Sequence, residues 1–166
     1  MAVSQVSNNR NPLQPSGFEF VADRRRLSNI TFFAQSISHP SLVTNAAEVP
    51  YRDYVSVPNI GDKIQYGPLS VQVLLDEDMQ SYQEIIDWME YNIYNEDPGV
   101  ADENSHFADL TLNILSSKNT LIQRIQYQDA FPTDIGEINM MSSVSGTQVI
   151  TFPVTFRLTK FKIVTA

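Results

Sequence analysis

Few side chains in this sequence are of the types that usually carry out catalysis or bind metals. The chain has no cysteine, which excludes a thiol nucleophile, a disulfide and every cysteine-ligated metal site. Its two histidines, His39 and His106, do not stand in HExxH or a similar metal-binding spacing, so we expect both to be structural. The acidic cluster Asp76–Asp78 and the carboxylates between 97 and 103 lack the spacing of a calcium-binding loop. Helix capping and a solvated loop are the better interpretations of these two clusters.

Nucleophilic and phosphate-binding patterns are also missing from the sequence. Its six glycines are scattered and never fall at the spacing of a dinucleotide-binding or P-loop motif, and no serine stands in GxSxG or SxxK. A serine without an identifiable base is not expected to be a nucleophile. We therefore expect no enzyme, no catalytic residue, no metal and no cofactor, and a protein that works through its surfaces.

Charge is distributed unevenly along the chain. Eleven Lys and Arg against 19 Asp and Glu give a net charge of −8, which argues against nucleic-acid binding through a broad basic face. Eleven of the acids lie between Asp76 and Asp109, a segment without Lys or Arg, so the acidity belongs to one region. Arg24, Arg25 and Arg26 are the most basic cluster, which could contact DNA or a protein interface, and the interface is favoured.

Alternating apolar and polar side chains predict that most of the chain forms β-strands. The clearest alternation is in the closing segment, Ile150–Thr159, whose expected partner is Glu137–Met141 across a turn that contains Gly146. Near the N-terminus we expect two strands joined by a basic turn. The strands predicted before the closing one are Phe18–Ala22, Ile30–Gln35, Leu69–Leu75, Leu110–Ile114 and Leu121–Tyr127, the last two joined by a turn at Ser117–Thr120.

One segment has helical rather than strand periodicity. Five apolar residues recur at the spacing i, i+3, i+4, i+7 and i+11, which predicts an amphipathic helix over about 79–95. The preceding carboxylates, Asp76–Asp78, can accept hydrogen bonds from the free amide groups of its first turn. The predicted apolar face consists of Tyr82, Ile85, Ile86, Met89 and Ile93, and the acids Glu84, Asp87 and Glu90 lie mostly opposite.

Two segments are expected to leave the body of a single domain at 18–166. Residues 1–17 are rich in Asn, Gln, Ser and Pro and are interpreted as a flexible N-terminal arm. Residues 39–62, which we call the excursion, mix strand-forming residues with Pro40, Pro50 and Pro58, and because proline removes a strand donor we predict a long loop with an irregular hairpin.

The combined pattern defines an expected fold class. About eight strand-like segments and one helix predict a mainly β protein, a two-sheet sandwich or barrel with one flanking amphipathic α-helix. No apolar run approaches the length of a bilayer-spanning helix, so no membrane insertion is expected.

Two blocks of residues resemble a known family. The first runs from Val57–Lys63 through Leu69–Val73 to Asp87-Trp88, and the second joins Phe131–Ile138 to Gln148–Phe156. Tail tube proteins of contractile-tailed, T4-like bacteriophages have a similar order: a Gly-Asp-basic turn, a strand, an acidic step and a helix ending near Asp-Trp. Their chain closes with a Pro-Thr-x-x-Gly-Glu turn and a Thr-Phe-x-Val-Thr strand. The chain therefore resembles the tail tube family over nearly the whole predicted domain.

The resemblance implies an assembly rather than an active site. Hexameric rings of a β sandwich or barrel would stack into a hollow tube, and DNA would pass through the lumen during ejection without specific binding. The implied partners are further copies of the chain, the tail sheath protein and baseplate tube proteins. The implied location is the tail of the virion, after assembly in the cytoplasm of the bacterial host.

Other functions are kept as alternatives. The chain could instead be a baseplate-proximal tube initiator or the tube protein of another contractile injection system. A free β-sandwich binding module, for instance for carbohydrate, is a more distant alternative, which would explain the alternation without the two ordered blocks.

The resemblance also implies roles for individual residues. The excursion would reach the adjacent ring, the acidic side of the helix would face the sheath, and the arm at 1–17 would order on assembly. Because the acids would then lie outside the tube, the lumen is expected to be closer to neutral than the net charge of −8 suggests. The expected inter-ring contacts are Val49, Tyr51, Arg52, Asp53, Tyr54, Val55 and Val57, and the expected sheath-facing residues are Glu84, Asp87 and Glu90.

Overall fold

A computed structural model describes residues 12–22, 27, 30–51, 55–94, 106–142 and 149–165. Most of the predicted arm and the cluster Arg24–Arg26 lie outside these ranges. Within them, strands predominate and one long helix interrupts them. In chain order the elements are β1 (Phe18–Val21), α1 (Ile30–Phe33), β2 (Ala34–Ser38), β3 (Leu42–Thr44), β4 (Ala47–Tyr51), β5 (Val55–Asn59), β6 (Ile64–Tyr66), β7 (Leu69–Leu74), α2 (Gln80–Tyr94), β8 (Ala108–Leu115), β9 (Leu121–Ile135), β10 (Thr151–Arg157) and β11 (Lys160–Thr165).

Seven strands form one antiparallel sheet in the order β1-β8-β9-β10-β7-β2, with β11 also paired to β9. Strand β9 is the longest, at 15 residues, and it organises the sheet. Its first part pairs with β8 and β11, and its last part pairs with β10. Strands β10 and β11 therefore lie one after the other along the same side of β9. Two smaller pairs, β3–β6 and β4–β5, stand outside this sheet.

The core forms where the inward faces of the strands meet helix α2. Leu69, Val71 and Val73 of β7 are fully buried and alternate with half-buried polar neighbours, as in a strand with one core face. The helix packs its Trp88 ring 6.1 Å from Phe156 of β10. Full burial of such large apolar side chains contributes about 1.5–3 kcal/mol each. These observations confirm the predicted fold class, mainly β with one flanking amphipathic helix.

Helix α2 begins at a capping carboxylate. Asp76 accepts hydrogen bonds from the backbone amides of Gln80 at 2.9 Å and Ser81 at 3.1 Å, and also from the Ser81 hydroxyl. Partial burial acts to raise the pKa of Asp76, but the hydrogen bonds from Ser81 and Gln80 outweigh it and hold that pKa below the usual value. The interpretation of Asp76 as a helix cap is therefore confirmed.

The prediction of a strand at Ile30–Gln35 is wrong in its first half. Residues Ile30–Phe33 form the short helix α1, and β2 begins only at Ala34. The helical turn places the Thr31 hydroxyl to accept the Ala22 amide at 3.2 Å and buries Ile30. Strands β1 and β2 lie at opposite ends of the strand order, so they do not form a hairpin.

The expected partner of the closing strand is also wrong. Glu137–Met141 contains no strand, and β10 pairs with the end of β9 and with β7. Pro132 lies within β9, where the register shifts, so the missing amide donor is tolerated. The strand pair closes at Gly136, whose amide donates to the Pro153 carbonyl at 2.7 Å. A side chain at this glycine would begin 2.2 Å from the Pro153 ring.

The predicted apolar face of α2 is confirmed at Ile85, which is buried, and at Tyr82 and Met89, which pack against the core. Ser81 and Trp88 are buried as well. The prediction is wrong at Ile93, which is 70% exposed, because the last turn of the helix extends past the core. The indole of Trp88 also donates a hydrogen bond to the His106 carbonyl at 3.2 Å, which ties the helix to the start of β8.

Candidate assembly surfaces

The excursion exposes its side chains almost without exception. Every described side chain at 41–50 and 56–60 is exposed, and none of them belongs to the buried core. Val49 and Val57 lie opposite each other in β4 and β5 and are 50% and 46% exposed, and Ile60 is 90% exposed. Apolar side chains gathered on a surface in this way usually mark a site of protein contact.

Of the seven predicted inter-ring residues, the structure brings four onto the β4–β5 hairpin. Val49 pairs with Val57 and, at the tip, the backbone of Tyr51 pairs with that of Val55. Arg52, Asp53 and Tyr54 lie outside the described residues.

The β4–β5 hairpin is regular, which corrects the expectation of an irregular one. In an antiparallel pair of strands, hydrogen-bonded residue pairs alternate with non-hydrogen-bonded ones. Pro50 pairs with Ser56 and Pro58 with Glu48, so both prolines lie in pairs of the same type. The pairs of the other type, including Val49 with Val57, can keep both backbone hydrogen bonds. A two-stranded ribbon therefore tolerates the prolines that suggested a disrupted one.

A close backbone crossing supports the base of the hairpin. A side chain added at Gly61 would begin 1.4 Å from the Asn45 carbonyl oxygen, so only glycine allows the two arms of the excursion to meet here. Nearer the core, the Gly67 amide donates to the Ser41 carbonyl at 2.8 Å. The Tyr66 ring lies 5.2 Å from that of Phe161 on β11, and this contact joins the excursion to the sheet.

An aromatic cluster lies where β2 leaves the sheet. His39 Nδ1 is hydrogen-bonded to the Tyr127 hydroxyl at 3.0 Å, and the His39 ring lies 4.6 Å from Phe161. Burial lowers the pKa of His39 and raises the pKa of the Tyr127 phenol, so both groups are neutral near pH 7. This histidine has a structural role, as the sequence indicated.

The acidic face of α2 presents carboxylates to solvent. Asp87 and Glu90 are exposed, Glu84 is half-buried, and the spacing of three places them next to one another on the helix. Asp87 accepts a hydrogen bond from the side-chain amide of Gln83 at 2.7 Å. None of the Lys or Arg residues in the described ranges lies on α2, so the face is strongly negative.

The outward face of strands β1, β8 and β9 is polar. Glu19, Asn113 and Arg124 stand side by side across it. The Asn113 amide donates to the Glu19 carboxylate at 3.1 Å, and Arg124 Nε donates to the Asn113 carbonyl oxygen at 3.2 Å. The same register continues with Thr111, Gln126 and Lys162. A face of this composition is suited to contact with water.

Within the seven-stranded sheet, three of the described strands pair on one side only. Strand β1 pairs only with β8, β2 only with β7, and β11 only with β9. Beside the open edge of β11, Ile163 is 60% exposed and Val164 is also exposed. Sequence reasoning missed β11, although its alternation continues that of β10 after a break at Leu158 and Thr159. Open strand edges can pair with another chain.

Metal and membrane sites find no support in the described ranges. No three His, Asp or Glu side chains lie close enough to hold a metal ion there. Within the same part of the chain, no helix has the length and apolar character required to cross a bilayer.

Solved structures with a similar fold come from contractile injection systems. A chain of the anti-feeding prophage baseplate aligns with a TM-score of 0.66 and 12% identity over 95% of this chain and 98% of that one. A chain of the PVC sheath–tube complex, from an extracellular contractile injection system in the extended state, aligns with a TM-score of 0.65 and 13% identity over 100% and 99%. Hcp1 from Flavobacterium johnsoniae aligns with a TM-score of 0.53 and 10% identity over 90% and 95%.

These similarities define the fold of the chain. No protein-family model and no curated protein sequence matches it. At 10–13% identity the agreement concerns architecture, and it extends over almost the entire length of each chain. The chain has the β-rich fold of tail-tube-type proteins. The likeness extends across contractile injection systems and does not single out the T4-like phages.

Proposed function

We propose that this protein is a structural tube subunit of a contractile injection system, whose copies form rings that stack into a hollow tube. The excursion is the observation that carries this proposal. It spans more than twenty residues, none of its described side chains belongs to the core, and it exposes valine and isoleucine in a chain with a tail-tube fold. A monomer has no use for such a ribbon, whereas a stacked assembly can bury it.

Ring formation is the role proposed for the open sheet edges. Neighbouring subunits that pair their β1, β2 or β11 edges would convert six open sheets into a closed barrel, which removes the exposed backbone groups. A ring of six is supported by the similar chain from a baseplate described as 6-fold symmetrised. The polar outward face of β1, β8 and β9 would then be a suitable wall for an aqueous lumen of low net charge.

Stacking is the role proposed for the β4–β5 hairpin. Val49 and Val57 would contact the adjacent ring, together with the five residues between them that the sequence suggested: Tyr51, Arg52, Asp53, Tyr54 and Val55. The arm at 1–17 would order against neighbouring subunits in the same step. Both assignments predict side chains that are protected only in the tube.

Sheath contact is the role proposed for the acidic face of α2. Glu84, Asp87 and Glu90 would meet Lys or Arg of a sheath subunit, and exposed pairs of this kind contribute about 0.2–1 kcal/mol each. Because the contacts repeat along the tube, together they would hold the sheath, while each single contact stays easy to break. The similarity to a chain from a sheath–tube complex supports this placement.

The tube could belong to either of two kinds of particle. The residue blocks resemble T4-like tail tubes, which implies a phage tail, a lumen that conducts DNA without binding it, and assembly in the bacterial cytoplasm. The fold is shared with chains of an extracellular contractile injection system and an anti-feeding prophage baseplate, which favours a tube of that kind or a baseplate-end tube protein. Copy number in purified particles distinguishes a main tube from a baseplate-end protein.

Negative-stain electron microscopy of the purified protein tests the main proposal. We expect rings or tubes of uniform diameter and a single axial repeat. A protein that stays monomeric at every concentration, both alone and when co-produced with baseplate proteins of a contractile injection system, would contradict a tube function.

A further inference from the structure

A polar pocket lies where the excursion joins the seven-stranded sheet. It has a volume of about 490 Å³. One wall is formed by residues of β3 and β6 and their neighbours, and the other by Arg157, Leu158 and Thr159, which end β10 and link it to β11. A ligand in this pocket would therefore contact the base of the excursion and the sheet at the same time.

Five polar side chains line the pocket without a partner of their own. Within the part of the chain that the structure describes, none of the five makes a hydrogen bond or an ion pair through its side chain. The other described arginine, Arg124, differs because it donates to Asn113. No Asp or Glu of the described ranges lines the pocket. The five polar residues are Ser41, Gln65, Tyr66, Arg157 and Thr159.

Contacts within the subunit hold both walls in place. The Gly67 amide donates to the Ser41 carbonyl at 2.8 Å, and the Thr159 amide donates to the Gln128 carbonyl of β9 at 3.1 Å. The Tyr66 ring packs 5.2 Å from that of Phe161 on β11. Because the walls are positioned before any ligand arrives, binding would cost little conformational entropy.

The lining favours a phosphate group attached to an apolar body. A guanidinium can bind either a carboxylate or a phosphate through two parallel hydrogen bonds. The three hydroxyls and the Gln65 amide add further donors, and a phosphate monoester has three terminal oxygens to accept them, whereas a carboxylate has two. Beside these donors, Val43 and Ile64 are 49% and 55% exposed, and Leu158 completes an apolar part of the lining.

We propose that this pocket binds a small phosphate monoester with an apolar substituent, and that Arg157 holds the phosphate group. Ser41 on one wall and Thr159 on the other offer their hydroxyls to the same group, so the bound phosphate joins the excursion to the sheet. The site lies within one subunit, so it goes beyond the proposed tube function and does not depend on it. A ligand that binds only the folded chain also stabilises it.

Calorimetric titration of the full-length protein with phenyl phosphate tests the site. Because Arg157 is exposed to water, we expect saturable but weak binding, with a Kd of about 1 mM at low ionic strength. Inorganic phosphate, which lacks the ring, should bind more weakly. Benzoate, which carries a carboxylate on the same ring, should bind about threefold more weakly than phenyl phosphate. Sodium chloride at equal ionic strength controls for screening.

Substitutions assign the contact to Arg157. Arg157→Gln should weaken the binding of phenyl phosphate by about tenfold, because it removes a charge-assisted contact, and Arg157→Lys, which keeps the charge without the planar fork, should lose less. Thr159→Val removes one hydroxyl at nearly constant shape and should weaken binding by about threefold. The matched control is Arg124→Gln, an equal change of charge at an exposed arginine outside the pocket, which should bind as the wild type does.

Hydrogen exchange locates the ligand independently of affinity. Phenyl phosphate should slow amide exchange on both walls, at 64–67 and at 157–159, and leave β1 unchanged. Circular dichroism of each variant confirms that it is folded.

Three results would overturn the proposed site: no saturation in the millimolar range, binding that survives Arg157→Gln, or protection on one wall only. Benzoate that binds as tightly as phenyl phosphate would overturn the choice of phosphate. Each result can be obtained whether or not the protein forms tubes, so failure of this site and failure of the tube function are distinguished.

Discussion

Helix α2 and the β4–β5 hairpin are similar in size and opposite in how they are held. The helix buries Ile85 and Trp88 against the sheet, begins at the Asp76 cap and exposes its acidic face and its last turn. The hairpin has no buried side chain among those described, and each of its prolines follows an exposed valine. The helix is stabilised within one subunit, whereas the hairpin needs contacts that a single subunit does not provide.

This contrast separates folding from assembly within one chain. Residues that pack in the core of one copy determine whether the subunit folds, and residues of the hairpin determine what the folded subunit can join. Substitutions in the two regions should therefore have opposite profiles, with large losses of stability in one and large losses of assembly in the other. The following changes are ordered by their expected effect on the stability of the isolated subunit.

Trp88→Ala should be the most damaging. It removes a nearly fully buried ring beside Phe156 and leaves the His106 carbonyl without the indole donor, so the free energy of unfolding should fall by about 3–5 kcal/mol. Urea unfolding followed by circular dichroism measures the loss. Trp88→Phe, which keeps most of the ring volume, should cost clearly less, and an equal cost would contradict the packing argument.

Asp76→Ala should cost about 1 kcal/mol, because it removes the acceptor for the first amides of α2. Because folding lowers the pKa of Asp76, the capping contribution is complete above 3.8, the pKa of an unperturbed Asp, and is lost as the pH falls through the lowered value. The difference between wild type and variant should therefore shrink in acid. Asp78→Ala, also exposed before the helix, is the control and should change little.

His39 should make stability depend weakly on pH. Burial lowers its folded pKa below 6.5, so the unfolded state binds more protons, and stability is complete above 6.5 and declines as the pH falls below it. Thermal unfolding between pH 8 and pH 5 in wild type and His39→Gln measures this, and the decline should be smaller in the variant. An unchanged slope would place the pH dependence elsewhere.

Replacing Glu48–Val57 by Gly-Gly should have the smallest effect on the subunit and the largest on assembly. None of the described side chains among these ten residues belongs to the core, so the free energy of unfolding should change by less than about 1 kcal/mol. Electron microscopy should show no tubes. Substituting Gly for both Leu121 and Ile122, which begin β9 and lie outside the excursion, is a control that should keep inter-ring stacking. Tubes formed without the hairpin would remove it from the proposed inter-ring contact.

Periodicity predicted the elements whose pattern is long and one-sided. Helix α2 at Gln80–Tyr94 and the strands β7 and β10 have alternation or helical spacing over many residues, and the structure has them close to the expected bounds. The pattern failed at Ile30–Phe33, because four residues of alternation fit a helical turn equally well. The family resemblance placed a turn from Pro132 to Glu137, whereas β9 continues to Ile135 and a register shift accommodates Pro132 within the strand.

For the candidate surfaces too, the sequence located residues within one element but not the contacts between elements. Composition located the acids on one segment, and spacing put Glu84, Asp87 and Glu90 on one side of a helix. No spacing could show that Glu19 of β1 and Arg124 of β9 meet across Asn113 on one polar face. Nor could it show that the Tyr66 ring packs on Phe161 of β11. These relations join residues far apart in the chain.

By itself the sequence determined which segments form strands, which segment is acidic and which carboxylate caps the helix. Hydrophobic periodicity and helix capping depend on residues that are close together in the chain. Only the tertiary structure decided that β9 pairs with β8 on one side and with β10 and β11 on the other. It also decided that the described side chains of the excursion remain outside the core. Strand pairing is a choice among several partners of similar pattern, and it is made by the packing of all the strands together.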